Sequence, residues 1–580
     1  MHVGQQLVDQ LIGYGVSRVF GCPGGQTLPL YNAIARSAPH IEHVLARDER
    51  SAVFEADAYA RATGTVGVCD ATVGPGASNL VSGLVEAYCS SVPVLAIVPD
   101  IARSWEHRRH LGSASQGFEQ RRFLEGCVKW YGRVETPEML AEMLRTALRI
   151  ATGGRPGPVV LEIPEDVFSG EAVEPTVQPD PSIARFPQFR TGPDPEAVRA
   201  AAERLSAAVR PMIVAGGGAL IADAGQAVLA LATRLGCPVA TTVTGKGLVP
   251  ENHALAVGTA GTFGVPAANG LLAEADAVVF IGSKAGQGTT MGWNVPAQET
   301  LIVHIDVDPD EIGRNYRNTI GIVADARLGT EALLAALGDT APGAGPDAGW
   351  DLAAIAERQR AWWTGPIEYK QPPVDGVCMP QDIVRAIRAG MPGDAPLVTD
   401  ASLSSGWGAT RWQVLEPGRK FLAPRGLAGL GWGLPAAVGV ALAARDRGAA
   451  HKVVCLAGDG GWAYSMAEIE TAARFELPIV TVLLNNSVLG WIKHTAASRY
   501  PDEMVSERFL TVDFAAVARG LGAVSERVSD LKGFAKAFGE AMADPAGRPW
   551  VIEVTSSEFE TPVVRPPVRK QGAPGQGGSY

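Results

Sequence analysis

Residues 458–486 hold the groups of this 580-residue chain best suited to bind a charged cofactor: Gly458-Asp459-Gly460, then residues 461–484, then Asn485-Asn486. A buried diphosphate usually comes with a hard divalent cation held by oxygen ligands and bridged to the phosphate oxygens. Asp459 and the side-chain oxygen of Asn486 suit that cation. Gly458, Gly460 and Gly461 let the backbone approach phosphates. Hydrophobic strands are expected at His451–Ala457 and Pro478–Leu484, leading into the two ends of the pattern. The stretch Trp462–Phe475 predicts a helix whose free N–H groups point at the anion. Gly-Asp-Gly alone would read as a strand-to-helix turn with a capping Asp. Asn-Asn at this spacing after a second strand turns the reading to a metal-bridged diphosphate.

Four further stretches carry a resemblance. Tyr14-Gly-Val-Ser-Arg-Val-Phe-Gly-Cys-Pro-Gly-Gly25 looks like a first strand and turn, and includes Pro23 and Gly24. Arg47-Asp48-Glu49-Arg50 is followed by Ala56-Asp57-Ala58-Tyr59-Ala60-Arg61 and Gly64. Thr72-Val-Gly-Pro-Gly-Ala-Ser-Asn79 and Gly426-Leu-Ala-Gly-Leu-Gly-Trp-Gly-Leu-Pro435 complete the set. Together they resemble the acetolactate synthase-like superfamily of thiamine diphosphate enzymes, over residues 1–555.

The resemblance implies a role for each position. Glu49 would hydrogen-bond the pyrimidine N1′, so that the cofactor's own 4′-amino group can take the thiazolium proton. Pro23, Gly24, Thr72, Gly74 and Asn79 would surround the pyrimidine. Leu430 would wedge the cofactor into its V shape, and the Ala428 carbonyl would accept from the 4′-amino group. Val488 would join Asp459 and Asn486 as a metal-ligating position, with Mg²⁺ as the metal. Gln116 aligns with a glutamine that reaches the reacting centre. Beside it, Ser115 stands where acetolactate synthases usually carry phenylalanine. Ser404 and Ser405, after the strand Pro396–Thr399, could donate hydroxyls to the diphosphate where other members use His and Gln. Lys493 lies on an expected helix over the cofactor, where an acid would be the more natural proton shuttle. It faces solvent, contacts substrate, or replaces such an acid; in the last case Lys493→Glu would raise turnover.

The positioning elements follow from composition and pattern. The length is too great for one core. Short apolar runs at Val16–Phe20, Val66–Cys69, Val92–Val98 and Pro158–Ile163, separated by helix-length segments, predict a parallel sheet buried on both faces. Residues 1–170 are thus read as a pyrimidine-binding α/β domain. Pro-rich Glu171–Pro195 reads as a linker. Pro211–Ala215, Ala277–Ile281 and Leu301–Ile305 predict a middle domain over 190–340. Strands at 396–399, 452–457, 478–484 and 550–554 predict a diphosphate- and metal-binding domain over 366–555. The expected class is α/β, three doubly wound parallel-sheet domains with a tail at 556–580. A net charge of −11 argues against general nucleic-acid affinity. No apolar run reaches membrane-spanning length, and the N-terminus lacks a basic-then-apolar leader. Seven scattered cysteines without a C-x-x-C pair read as reduced residues of a cytoplasmic protein.

In the superfamily the pyrimidine and diphosphate are held by different subunits, which implies a homodimer at least, with tetramers common. In the middle domain, Gly216-Gly217-Gly218 after a strand looks like a nucleotide-binding turn. Gly282-Ser-Lys-Ala-Gly-Gln-Gly-Thr-Thr290 stands where acetolactate synthases carry an Arg-Asp-Asp-Arg-like flavin stretch. That disfavours flavin and leaves ADP or an empty pocket. The tail carries Arg565, Arg569 and Lys570 without acids. It reads either as disorder or as a lid whose cations meet phosphates, like the tails of oxalyl-CoA decarboxylases and 2-hydroxyacyl-CoA lyases, where the lid closes over coenzyme A. Arg103-Ser-Trp-Glu-His-Arg-Arg-His110 could add positive charge at the entrance. The reading is a carbon–carbon lyase giving formyl-CoA and a ketone or aldehyde from a substrate such as 2-hydroxyisobutyryl-CoA. The rivals are an acetolactate synthase-type carboligase acting on 2-keto acids and a non-catalytic binding relative.

Overall fold

A computed structural model describes residues 1–338, 349–449, 451–500 and 505–563. It contains three six-stranded sheets. The first comprises β1 Arg18–Gly21, β2 Glu42–Leu45, β3 Gly67–Asp70, β4 Val94–Asp100, β5 Trp130–Arg133 and β6 Val159–Pro164. The second comprises β7 Pro211–Ala215, β8 Val239–Thr241, β9 Ala256–Thr259, β10 Ala277–Ile281, β11 Leu301–Asp306 and β12 Thr319–Val323. The third comprises β13 Leu397–Thr399, β14 Phe421–Leu422, β15 Val453–Gly458, β16 Ile479–Asn485, β17 Val524–Val528 and β18 Trp550–Thr555. Every pairing is parallel. The expected α/β class with three parallel-sheet units is therefore what the chain adopts.

Strand order decides where ligands can bind. The first sheet runs β2-β1-β3-β4-β6-β5, and the third repeats that order as β14-β13-β15-β16-β18-β17. The second runs β12-β11-β10-β7-β8-β9. In each sheet the chain leaves its first strand toward one edge and later returns to that strand's other side. The loops then diverge above and below the sheet, opening a crevice at the strand C-termini. The three crevices lie between β1 and β3, between β7 and β10, and between β13 and β15.

The outer sheets pack through two helices, Glu49–Thr63 and Gly433–Asp446. They share one apolar core with residues such as Phe54, Ala58, Val438 and Leu442. Their backbones approach so closely that a Cβ on Gly439 would stand 2.2 Å from the Glu55 carbonyl oxygen, so only glycine fits there. Arg18 ties the same contact through Asp446 at 2.6 Å. Arg155 bridges the first and second sheets' units through Asp308 and Glu311, at 3.1 and 2.8 Å. Lys246 and Glu251, both buried and 2.6 Å apart, join the second to the third, with Glu251 also accepting from the Val414 N–H.

Two sequence expectations change here. Trp462–Phe475 is not one helix: a single turn, Asp459–Trp462, is separated from Glu468–Arg474 by tighter i→i+3 turns such as Tyr464 N–H to Gly461 O. Two adjacent glycines weaken the helical start, and fully buried Trp462 and Ile469 fix the turn against the core. The stretch Glu171–Pro195 forms no long element but is not a loose tether: Ile183 and Phe186 are buried, and Arg185 bridges to Thr65. None of the seven cysteines is disulfide-bonded. Among the described residues no helix is long and apolar enough to cross a membrane.

Candidate functional site

The expected site residues gather at the crevices of the first and third sheets. On the first, Pro23 and Gly24 follow β1, and Thr72 and Gly74 follow β3. The Gly24 N–H donates to Thr27 Oγ1 at 2.9 Å, and Thr72 Oγ1 donates to Gln26 Oε1 at 3.2 Å, which joins the two loops. Gly74 has φ +70°, and a Cβ there would lie 2.5 Å from the Gln116 carbonyl oxygen. The structure thus brings Gln116, itself at φ +61°, against the 72–79 loop. Ser115 and Gln116 are exposed.

Glu49 opens its helix because Asp48 caps it, accepting from the Arg50 and Ser51 N–H groups. Its carboxylate is half-buried and accepts from Asn79 Nδ2 at 2.9 Å. Around it burial drives the Cys22 thiol and the Tyr31 hydroxyl strongly upward, with nearby carboxylates adding to both.

On the third sheet, Asp459 follows β15 and is 4% exposed. Its oxygens accept the N–H groups of Gly460 at 2.8 Å, Asn486 at 3.1 Å and Ser487 at 2.5 Å. Among the described residues no cation pairs with it, and burial raises its pKa despite those N–H groups. A divalent cation would supply the missing charge. Asn486 Oδ1 accepts from the Val488 N–H at 3.2 Å, which aims that oxygen beside the Val488 backbone. The set Asp459, Asn486 and Val488 carbonyl suits a small hard ion that keeps other positions for phosphate and water. Ser404 Oγ lies 3.7 Å from where a Gly458 Cβ would project, beside the strand end that leads into Asp459. Ser405 turns inward and donates to the Asp400 carbonyl at 2.6 Å. Gly460 and Gly461 belong to the single turn after Asp459.

The Gly426–Pro435 stretch closes the site from below. Ala428 adopts φ +60°, unusual for a residue with a Cβ, and Leu430 is half-buried. Two carboxylates that the sequence reading passed over hold this stretch. Glu86, 1% exposed on the helix Pro75–Ser90, accepts the N–H groups of Gly426, Leu427 and Ala428 at 3.0, 2.7 and 2.9 Å. Burial pushes its carboxyl up, but Arg61, Ser90 and those N–H groups outweigh burial and hold it below the ordinary range. Asp400 Oδ1 accepts the N–H groups of Ala401, Gly431 and Trp432. Its pKa is pushed up to about 6 by burial. A charged residue on the apolar face of a helix was the sequence signal for Glu86.

Other expectations are placed differently. Lys493, on the helix Gly490–Arg499, forms an ion pair with Glu558, which Arg508 also binds at 2.8 Å; its ammonium lies 4.5 Å from the Phe559 ring centre. It is paired rather than turned to solvent. Arg103 pairs with Asp166 and Arg109 with Asp100, so two cations of the 103–110 run are already matched. Arg565, Arg569 and Lys570 lie outside the described residues.

A cavity of about 1170 Å³ runs from the middle crevice to the turn at Gly426 and Ala428. Gly216–Gly218 and Gly282–Lys284 line one part; Arg425, Ala428, Trp491 and Thr561 line another.

Comparison with known proteins agrees with this division. The central-domain description of thiamine pyrophosphate enzymes matches residues 198–336, the N-terminal thiamine pyrophosphate-binding domain residues 1–121, and the C-terminal one residues 400–554. The acetolactate synthase large subunit of Parasynechococcus marenigrum is 33% identical, over 97% of this chain and 88% of its own length. A probable acetolactate synthase large subunit of Methanocaldococcus jannaschii is 32% identical, over 98% and 94%. A probable 2-ketoarginine decarboxylase of Pseudomonas aeruginosa is 35% identical, over 91% and 89%. With three matched domains, full-length relatives and Asp459 and Asn486 brought together at the expected crevice, the chain belongs to the thiamine pyrophosphate enzyme family.

Proposed function

We propose that this chain is a thiamine diphosphate-dependent lyase of 2-hydroxyacyl-CoA esters, releasing formyl-CoA and a ketone or aldehyde and working in either direction. The observation that carries the reading is the cavity of about 1170 Å³, which reaches Ala428 from the β7/β10 crevice. That volume leaves room for a nucleotide-bearing thioester alongside ADP in the middle domain.

The cofactor supplies the electron sink for the bond being broken. The chain's part is placement and proton control. Glu49, with Asn79 beside it, engages the pyrimidine ring, and Asp459, Asn486 and Val488 hold Mg²⁺. Ser404 meets the diphosphate, Gln116 and Lys493 serve the reacting end, and Arg565, Arg569 and Lys570 meet the phosphates of coenzyme A.

A second reading has its own support. The names of the relatives favour an acetolactate synthase-type carboligase on 2-keto acids. Mass spectrometry decides between the two: protein with thiamine diphosphate and Mg²⁺ is given 2-hydroxyisobutyryl-CoA or pyruvate. Formyl-CoA and acetone support the lyase; acetolactate with the CoA ester untouched replaces it with the carboligase.

A further inference from the structure

We propose that Arg425 is an anion-binding subsite of the large cavity, taking a carboxylate or phosphate group of the ligand that reaches the turn at Ala428. Arg425 is partly buried and lines the cavity. Among the described residues it makes no hydrogen bond or ion pair, and its guanidinium carbon lies 4.9 Å from the Phe263 ring centre. The loop at Gly288 passes beside its Nη2.

The neighbouring charges are already spoken for. Arg155, another cation of the cavity wall, is matched by Asp308 and Glu311. Asp325 pairs with Arg190 at 2.8 Å. Lys284 donates to the Cys89 carbonyl. The carboxylate whose charge acts on Arg425 is Glu86, and its oxygens are occupied by three backbone N–H groups, the Ser90 hydroxyl and Arg61. Burial accordingly lowers the pKa of Arg425 against the weaker pull of Glu86.

A partly buried guanidinium without a paired counter-ion carries a desolvation cost, and an incoming anion offsets it. Its planar fork fits carboxylate and phosphate oxygens alike. Arg425 is three residues from Ala428, so chain length alone keeps the two within roughly 11 Å. An anion bound there therefore belongs to a molecule in or beside the reacting site. Sequence reading gave Arg425 no role because an arginine before a glycine-rich turn is ordinary until its partners are counted.

The inference rests on the reading that this cavity takes the substrate or its nucleotide. Calorimetry on the enzyme loaded with thiamine diphosphate and Mg²⁺ tests both parts, with coenzyme A, ADP and pyruvate as separate probes. The Arg425→Met variant is expected to bind at least one probe about tenfold more weakly or worse, with part of the loss recovered in Arg425→Lys. Loss confined to pyruvate identifies a carboxylate, and loss on coenzyme A or ADP a phosphate. The ligand-free Tm of Arg425→Met should equal or exceed that of the parent, because an uncompensated cation has been removed. If the parent binds none of the probes, the cavity reading and the subsite both fall. If it binds them and both variants bind equally well, the subsite alone falls. A Tm several degrees lower in Arg425→Met, restored in Arg425→Lys with unchanged binding, would make Arg425 a packing residue instead.

Discussion

Glu86 reaches across from the first domain to hold three consecutive N–H groups of the turn containing Ala428. A positive φ at an alanine is unfavourable, and such a turn persists only where its surroundings over-determine it. In Glu86→Gln, one acceptor oxygen becomes an N–H donor facing other donors, a cost of roughly 1–3 kcal/mol. The expected result is a fall in kcat with little change in KM and a modest drop in Tm, read from steady-state kinetics and thermal unfolding. Glu49→Gln should instead lose roughly 10²-fold or more in kcat, while calorimetry finds thiamine diphosphate binding largely retained, because Asp459, Asn486 and Ser404 are untouched. For Lys493→Glu, higher turnover would identify a need for an acid at this place. Unchanged turnover would leave Lys493 only its clamp on Glu558. At this scale the sequence displayed the groups expected to touch the cofactor, since their spacing is local. It assigned no role to Glu86, Asp400 and Arg425, whose meaning lies in partners far along the chain.

The elements explain why those local motifs meet: each lies at a strand C-terminus beside a crevice where strand order reverses. Central strands such as β4, β6, β15 and β16 were legible as mainly apolar runs because both faces are buried. The sheet edges were not. Strands β2, β5, β12 and β17 expose part of their length and carry polar residues, as in Glu42-His43 and Ser525-Glu526-Arg527, and β14 has only two residues. Edge strands bury less, so hydrophobicity marks them weakly. Asp400, directly after β13, gives this scale its pH test. Its folded pKa of about 6 lies above the ordinary value of 3.8, so the ionised form is penalised in the fold. That penalty is present above pH 6 and is relieved as pH falls toward 4. Asp400→Asn keeps one oxygen for the Ala401, Gly431 and Trp432 N–H groups and cannot ionise. Relative to the parent, its stability should rise between pH 4 and pH 7, by at most about 3 kcal/mol; denaturant melts across that range measure it. A constant difference would show that Asp400 is not the group titrating.

For the whole molecule, the question is whether one chain can assemble the site. Among the described residues, no hydrogen bond or ion pair joins Glu49, Thr72 or Asn79 to Asp459 or Asn486. Apolar residues near the metal-side turns are exposed: Leu510 is 88% exposed and Tyr464 56%. Phe509, 46% exposed, donates its N–H to the Ser487 carbonyl next to Asn486. Exposed apolar surface around a charged site is what a second copy would cover. If the pyrimidine side comes from one subunit and the diphosphate side from the other, two inactive variants should repair each other. Glu49→Gln and Asp459→Ala, co-expressed with different affinity tags and purified as the mixed species, would place both lesions in one site. The other site would then be assembled from intact residues. We expect each homomeric variant to be nearly inactive and the mixed species to recover up to about half the parent activity per dimer. A mixed species no more active than its parts would instead place Glu49 and Asp459 in a site built by a single chain.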